Sequence, residues 1–214
     1  MKILILTLGF DERFAIRALL RTGLGRGDEV LILLAEPLDE RAIKAWRTVK
    51  EFISKYLTGV NIRSIKVNVS DFYGSIRRIA KELKASVNKE SELIVNLSGG
   101  MRVLIVETLA ALQLLKLEGV AEIEFENFMG SVTFPLKILR LNVKDEDKAM
   151  LKFILTRGIS TLAEVANGLG ISKSSAHRKV WRLANLGLLK VTRRGRLLLC
   201  EPTELTKSLR DLII

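Results

Sequence analysis

One cysteine, Cys200, and one histidine, His177, occur among 214 residues. That scarcity excludes a disulfide framework and a cysteine-built zinc site, and with them most multi-histidine metal chemistry. A lone thiol suits a reducing, cytoplasmic compartment. Glutamine occurs once, at Gln113, while Lys, Arg and Glu are abundant, a balance in keeping with a heat-adapted protein. No apolar run reaches membrane length: the longest, 103–117, is interrupted by Glu107, Gln113 and Lys116. The apolar run at 1–8 meets Gly9, Phe10, Asp11, Glu12 and Arg13 at once, so it reads as a strand and not as a signal-peptide core. No membrane partner is expected. The first strand-to-helix turn lacks G-x-G-x-x-G, and neither G-x-x-x-x-G-K-[ST] nor G-x-S-x-G occurs, which disfavours dinucleotide, P-loop and serine-hydrolase chemistry. Acidic residues are the minority charge, 24 against 35 basic, for a net +11. Such an excess points to an acidic partner, nucleic acid before others.

The 48% of hydrophobic residues is enough for a packed core, and its pattern divides the chain in two. Residues 1–143 alternate strand and helix. Continuous apolar runs at 2–8, 29–34 and 93–97 have the character of strands buried on both faces. An alternating strand is expected at 61–69 and a further strand at 121–125. Between them the 3.6-residue period predicts helices at 11–21, 39–57, 72–87 (with Asp71 as N-cap) and 100–116. Residues 131–134 and 136–143 would add antiparallel edge strands. The fold class expected is α/β, a Rossmann-like, doubly wound, mainly parallel sheet.

Residues 144–214 change character. Helical patterns at 145–156, 161–168 and 172–186 are followed by a hairpin pattern, 188–191 and 197–200, around a basic turn at 192–196. This is the order of a winged helix-turn-helix domain, with a last helix possible at 203–214. Net charge is +7 over 144–214 and +4 over the rest. In the third helix Ala176, Val180 and Leu183 should face inward. Ser174, Arg178, Trp181, Arg182 and Asn185 lie opposite, with His177 at the edge. Ser172 caps the helix and Ser175 lies in its first turn. A face of this kind offers donors to base edges and phosphates. Arg193, Arg194 and Arg196 surround Gly195, where guanidinium groups can reach phosphates or a minor groove. The DNA-contacting set expected is therefore Ser172, Ser174, Ser175, His177, Arg178, Arg182, Arg193, Arg194 and Arg196. The stretch from Ile171 to Leu189 resembles the MarR-like winged-helix class.

Two turns in the first part stand out: Thr7-Leu8-Gly9-Phe10 and Asn96-Leu97-Ser98-Gly99-Gly100-Met101-Arg102. With strand order 3-2-1-4-5 they would meet at the carboxyl ends of strands one and four, the usual ligand crevice of such sheets. Gly99 and Gly100 would let a ligand approach backbone, and the helix behind them would offer N–H groups to an anion. The same glycines would serve equally well simply to make tight turns.

These two turns, together with the winged-helix pattern, resemble the CRISPR-associated Rossmann-fold (CARF) regulators, in particular the archaeal type I-A transcription regulator group. The resemblance implies a homodimer that binds cyclic oligoadenylate, cyclic tetra-adenylate foremost, across its two-fold axis, with promoter DNA on the winged helices and no other cofactor. Carried over, Thr7, Leu8, Gly9 and Phe10 would line the ligand from one loop, and Ser98, Gly99, Gly100, Met101 and Arg102 from the other. Asn96 stands where many relatives carry Asp, which removes a carboxylate that would orient the loop. Ser70-Asp71-Phe72 resembles a further family turn, although a plain helix cap explains Asp71. Some CARF domains cleave their ligand, so a metal-independent ring nuclease is an alternative, weakened by the absence of a general base in either loop. A DNA-binding dimer whose Rossmann part only dimerises is another.

Overall fold

A computed structural model describes residues 1–213. Strands β1 (Lys2–Leu8) and β2 (Glu29–Glu36) are buried along nearly their whole length, because helices cover both faces of the sheet. With β3 (Asn61–Asn68), β4 (Glu92–Asn96), β5 (Val120–Glu124) and β6 (Ser131–Pro135) they form one sheet in the order β3-β2-β1-β4-β5-β6. All neighbours are parallel except the β5–β6 pair. After β3 the chain crosses back to the other side of β1, so β1 and β4 lie side by side at the reversal of strand order. This is the doubly wound, mainly parallel architecture expected.

Helices α1 (Glu12–Thr22), α2 (Glu40–Tyr56), α3 (Phe72–Ser86) and α4 (Arg102–Leu114) connect the strands. Asp11, Asp39 and Asp71 cap the first three through their side chains. Helix α4 starts two residues later than its periodicity suggests, because Gly100 has φ +85°, outside the right-handed helical region. The expected strand at 136–143 does not form. Pro135 has no N–H to continue the ladder, and a 3-10 helix (Leu136–Arg140) follows it, seated by the buried Leu136.

Contacts divide the chain into two units, Met1–Leu136 and the residues from Lys137 onward, whereas the change of pattern in the sequence falls at 143/144. In the second unit α5 (Asp145–Arg157), α6 (Leu162–Gly168) and α7 (Lys173–Asn185) pack around Met150, Ile154, Val165, Ala176, Val180 and Leu183. A short strand β7 (Ser160–Thr161) pairs with the hairpin β8 (Leu189–Arg194) and β9 (Leu197–Pro202), in the order β7-β9-β8. Thr161 and Glu164 form a reciprocal capping box on α6. The last expected helix is broken at Leu209 into α8 (Glu204–Ser208) and α9 (Arg210–Ile213), and Ile214 lies outside the described residues. Cys200 is buried in this core, and burial pushes its thiol up to about 11, leaving it unreactive at neutral pH. Among the described residues no helix is long and apolar enough to cross a membrane.

One buried charge in the first unit is unpaired. Glu107, on α4, is fully buried and neither carboxylate oxygen has a hydrogen-bond partner. Burial pushes its pKa from 4.5 up to about 7, the neighbouring Ser75 hydroxyl opposes the rise, and the Asp71 charge adds to it. A raised folded-state pKa means that the unfolded chain gives up this proton first. The destabilisation is absent below pH 4.5, grows as pH rises towards 7 and is complete above it. Glu107→Gln is therefore expected to leave stability nearly unchanged at pH 4.5 and to raise it by up to about 3 kcal/mol at pH 8, measured by urea unfolding at the two pH values.

Candidate functional site

The reversal of strand order brings two glycine loops into backbone contact. Register pairs Leu6 of β1 with Asn96 of β4, so the residues after each strand end run together. A Cβ on Gly9 would lie 3.0 Å from the Cα of Gly100, and one on Gly99 would lie 2.7 Å from the carbonyl oxygen of Thr7. The second distance is one that a real Cβ does not tolerate against backbone, so position 99 requires glycine, and the first is tight enough that Gly100 would have to give by a few tenths of an ångström. Beside this contact lies a cavity of about 280 Å³, walled by Leu8, Gly9, Phe10 and Phe14 on one side and by Ser98, Gly99, Gly100 and Met101 on the other. Pro37 and Leu38, from the turn after β2, close a third side.

Thr7 is not on that wall. It is 2% exposed, and its hydroxyl donates to the carbonyl oxygen of Gly99 at 2.6 Å. It ties the loops together from behind instead of facing a ligand. Asn96, read from sequence as a loss, orients the second loop: its Oδ1 accepts the N–H of Ser98 at 3.2 Å and its Nδ2 donates to Glu122 at 3.3 Å. The Ser98 hydroxyl accepts the N–H of Glu124 at 2.8 Å. Glu122 and Glu124 are buried, and Arg21 of α1 pairs with them at 2.8 and 2.9 Å. Arg17 pairs with Glu124 as well. This ion-pair group, with buried carboxylates and partly exposed arginines, links the second loop to the helix that follows the first. Nothing in the local sequence marks it, because its members are about a hundred residues apart.

The charges at the rim are sorted. Asp11 and Asp39 reach the cavity wall, but both carboxylates cap helices, accepting from the N–H of Arg13 at 2.9 Å and of Ala42 at 2.8 Å. Hydrogen bonds from the Arg13 side chain hold Asp11 below the usual carboxylate range. The guanidinium of Arg41 lies over the Phe10 ring, 4.2 Å from its centroid, a partner the sequence did not suggest. Met101 occupies the N-cap position of α4 with no side-chain hydrogen bond, leaving first-turn N–H groups uncapped at the cavity mouth. Arg102 is exposed at the first position of that helix and does not line the cavity itself.

In the second unit α7 presents the expected exposed face, with two adjustments. Arg182 is committed elsewhere: it donates to Asp147 at 2.5 Å and to Glu146 at 2.6 Å, both on α5. Lys179 joins this group, 3.5 Å from Asp147. Arg182 therefore ties α7 to α5, and its guanidinium is engaged by two carboxylates instead of standing free on the exposed face. The Ser172 hydroxyl is spent as the N-cap, accepting from Ser175 N–H at 3.2 Å. Ser174, His177 and Arg178 remain exposed, and Ser175 is half-buried. Trp181 donates its indole N–H to Nε2 of His177 at 3.0 Å, so the two rings hold each other along the exposed side of α7. Gly195, at φ +60°, and Arg196 make a two-residue turn, so Arg193 and Arg194 lie on β8 and only Arg196 is at the tip. All three are exposed.

Known proteins give the following likenesses. Residues 2–135 match the Csa3 CRISPR-associated Rossmann-like domain. Residues 150–193 match the IclR helix-turn-helix domain, a different class label from the MarR-like one the α7 sequence resembles. No curated protein matches. Among solved structures the chain is similar to Can2 from Sulfobacillus thermosulfidooxidans in complex with cyclic tetra-adenylate, at 9% identity and a TM-score of 0.45, over 98% of this chain and 63% of that one. It is also similar to a MarR family protein from Bacillus stearothermophilus, at 17% identity and a TM-score of 0.32, over 36% of this chain and 55% of that one. The chain thus spans less than two thirds of the length of either. The match over residues 2–135 takes in the whole parallel sheet and both glycine loops, and the chain belongs to the Csa3 CRISPR-associated Rossmann-like family, with an IclR-type helix-turn-helix domain after it.

Proposed function

We propose that this protein is a ligand-responsive transcriptional regulator of CRISPR-related genes, which binds cyclic oligoadenylate in its first unit and promoter DNA in its second. The observation that carries the reading is the backbone-to-backbone contact of the two glycine loops beside the uncapped N-terminus of α4. Exposed N–H groups and the partial positive charge of a helix start suit phosphate. Leu8, Phe10, Phe14 and Pro37 supply the apolar wall that a base needs. Gly9, Ser98, Gly99, Gly100 and Met101 face the ligand, Arg102 adds charge from the rim, and Thr7 acts as a positioning residue behind them.

A second copy of the chain completes the assembly. Helix α4 buries Leu104, Ala111 and Leu112 inward yet leaves Val106 52% and Leu114 66% exposed. A helix apolar on both sides is one expected to be covered on both. A two-fold ring ligand suits such an isologous pair. Paired winged helices suit half-sites about one DNA turn apart, with Ser174, His177, Arg178, Arg193, Arg194 and Arg196 toward the duplex. Ligand would bias the dimer through different affinities for its DNA-competent and DNA-incompetent states.

Calorimetric titration with cyclic tetra-adenylate tests the first unit. One ring per dimer, recovered intact, and an affinity roughly tenfold weaker in Arg102→Ala are the expected results. Linear products would replace the regulator with a ring nuclease. Absence of binding would leave a dimerisation domain. For the second unit, the triple substitution Arg193→Ala, Arg194→Ala, Arg196→Ala is expected to lower the slope of log affinity against log salt by roughly 3, read by fluorescence anisotropy on promoter duplex.

A further inference from the structure

Away from the glycine loops, a second cleft of the first unit is lined by cations. It has a volume of about 620 Å³ and lies between the C-terminal part of β3 and helix α3. Lys66, Arg77, Arg78 and Lys81 line it, and none of the four makes an ion pair or hydrogen bond among the described residues. Three carboxylates share the wall. Asp71 is spent on the N–H of Gly74 at 2.9 Å, and Glu82 faces Arg63 at 3.6 Å, which leaves only Glu36 uncommitted. Four cations face three carboxylates, and none of the four is paired with any of the three, so their N–H groups are left open to an outside anion.

The arrangement of α3 adds direction. Tyr73, Arg77 and Lys81 follow one another at i, i+4 and i+8, and Lys84 continues the stripe. All are exposed, Tyr73 to 82%. At 1.5 Å of rise per residue the stripe is roughly 16 Å long. An exposed aromatic ring followed by cations along a straight track is the pairing used for single strands, in which a base stacks on the ring and the phosphates run past the charges. No aromatic or amide side chain other than Asn68 lines the cleft, so base edges have little to read there.

We propose that the β3–α3 cleft is a second nucleic-acid site, which binds a single-stranded polynucleotide through its backbone with little regard to sequence. Its lining shares no residue with the glycine-loop cavity, and the proposal does not depend on the function proposed for that cavity or for α7.

The test uses the full chain with Arg193→Ala, Arg194→Ala and Arg196→Ala as background, so that duplex binding by the hairpin is weakened. Labelled 15-residue oligo(dT) and oligo(U) are titrated by fluorescence anisotropy over a salt series. Adding Arg77→Ala, Arg78→Ala and Lys81→Ala is expected to weaken binding at least tenfold and to lower the salt slope by about 2, the value for three phosphates of a single strand. Tyr73→Leu is expected to weaken it roughly tenfold without moving the slope, as the loss of one stacked base. All these side chains are exposed or at the cleft surface, and unchanged thermal melting confirms that the variants are folded. The stronger of the two oligonucleotides identifies the polymer as DNA or RNA. Equal affinity in the variants and the background, or displacement by unlabelled duplex as effective as by single strand, would overturn the proposal.

Discussion

Gly99→Ala is expected to abolish measurable binding of cyclic tetra-adenylate at ligand concentrations that saturate the unaltered protein. The new methyl group would lie 2.7 Å from the carbonyl oxygen of Thr7, a backbone atom held in a central strand. Neither partner can rotate away, so the second loop must shift. That shift breaks the hydrogen bond from Thr7 to Gly99 and displaces the Ser98 N–H from Asn96. The cost in stability is expected to be about 1–3 kcal/mol, as for other overpacked sites. The cost in binding is larger, because displacement of the loop moves several ligand-facing groups at once. Thr7→Val is the control: it keeps the shape, removes the tie, and should weaken binding less while leaving the ring stoichiometry intact. Calorimetric titration of both variants checks this. Unchanged affinity in Gly99→Ala would place the ligand elsewhere.

Removal of Arg182 is expected to destabilise the second unit more than any other surface substitution there. The Asp147 carboxylate is 1% exposed and takes its shortest contact, 2.5 Å, from Arg182. Arg182→Ala would leave it buried with Lys179 as its nearest cation, at 3.5 Å. Lys179 retains part of the compensation and Arg182 is itself partly exposed, so the loss is expected to be about 1–2 kcal/mol. For a unit of this size the midpoint of thermal unfolding should fall by roughly 5–10 °C. Replacing both partners, Asp147→Leu with Arg182→Leu, should recover most of the loss, because the desolvated charge is gone. Arg178→Ala, on the neighbouring exposed position, should leave the midpoint unchanged and weaken promoter affinity instead. Scanning calorimetry separates the two arginines. A shift below about 2 °C for Arg182→Ala would show that solvent screens the pair and return Arg182 to the DNA face.

The contrast between Arg178 and Arg182 shows where sequence reading stops. Both are arginines on the polar side of α7, one turn apart. Periodicity places them on the same face and chemistry offers both to DNA. Only the packing of α5 against α7 assigns Arg182 to Asp147. Thr7 and Asn96 follow the same pattern. Each was visible as a residue at the end of a strand, yet what each hydroxyl or amide touches depends on the opposite loop, some ninety residues away in Thr7 and on β5 in Asn96.

The sequence alone determined the architecture through short-range physics. Continuous apolar runs specified strands covered on both faces, and the intervening 3.6-residue periods specified the covering helices. Asp11, Asp39, Asp71, Thr161 and Ser172 marked helix starts, because a side-chain acceptor at an N-cap acts only on N–H groups two or three residues away. The glycine pair and the basic hairpin were legible for the same reason. Tertiary structure alone decided which polar groups are available. It buried Thr7, committed Arg182, turned Asn96 into a loop brace, left Glu107 without a partner and left the cations of the β3–α3 cleft free. A polar group buried in a protein must find a partner at hydrogen-bonding distance or pay a desolvation penalty. Which partner lies within that distance is set by strand order and helix packing, and these bring together residues that no local pattern connects.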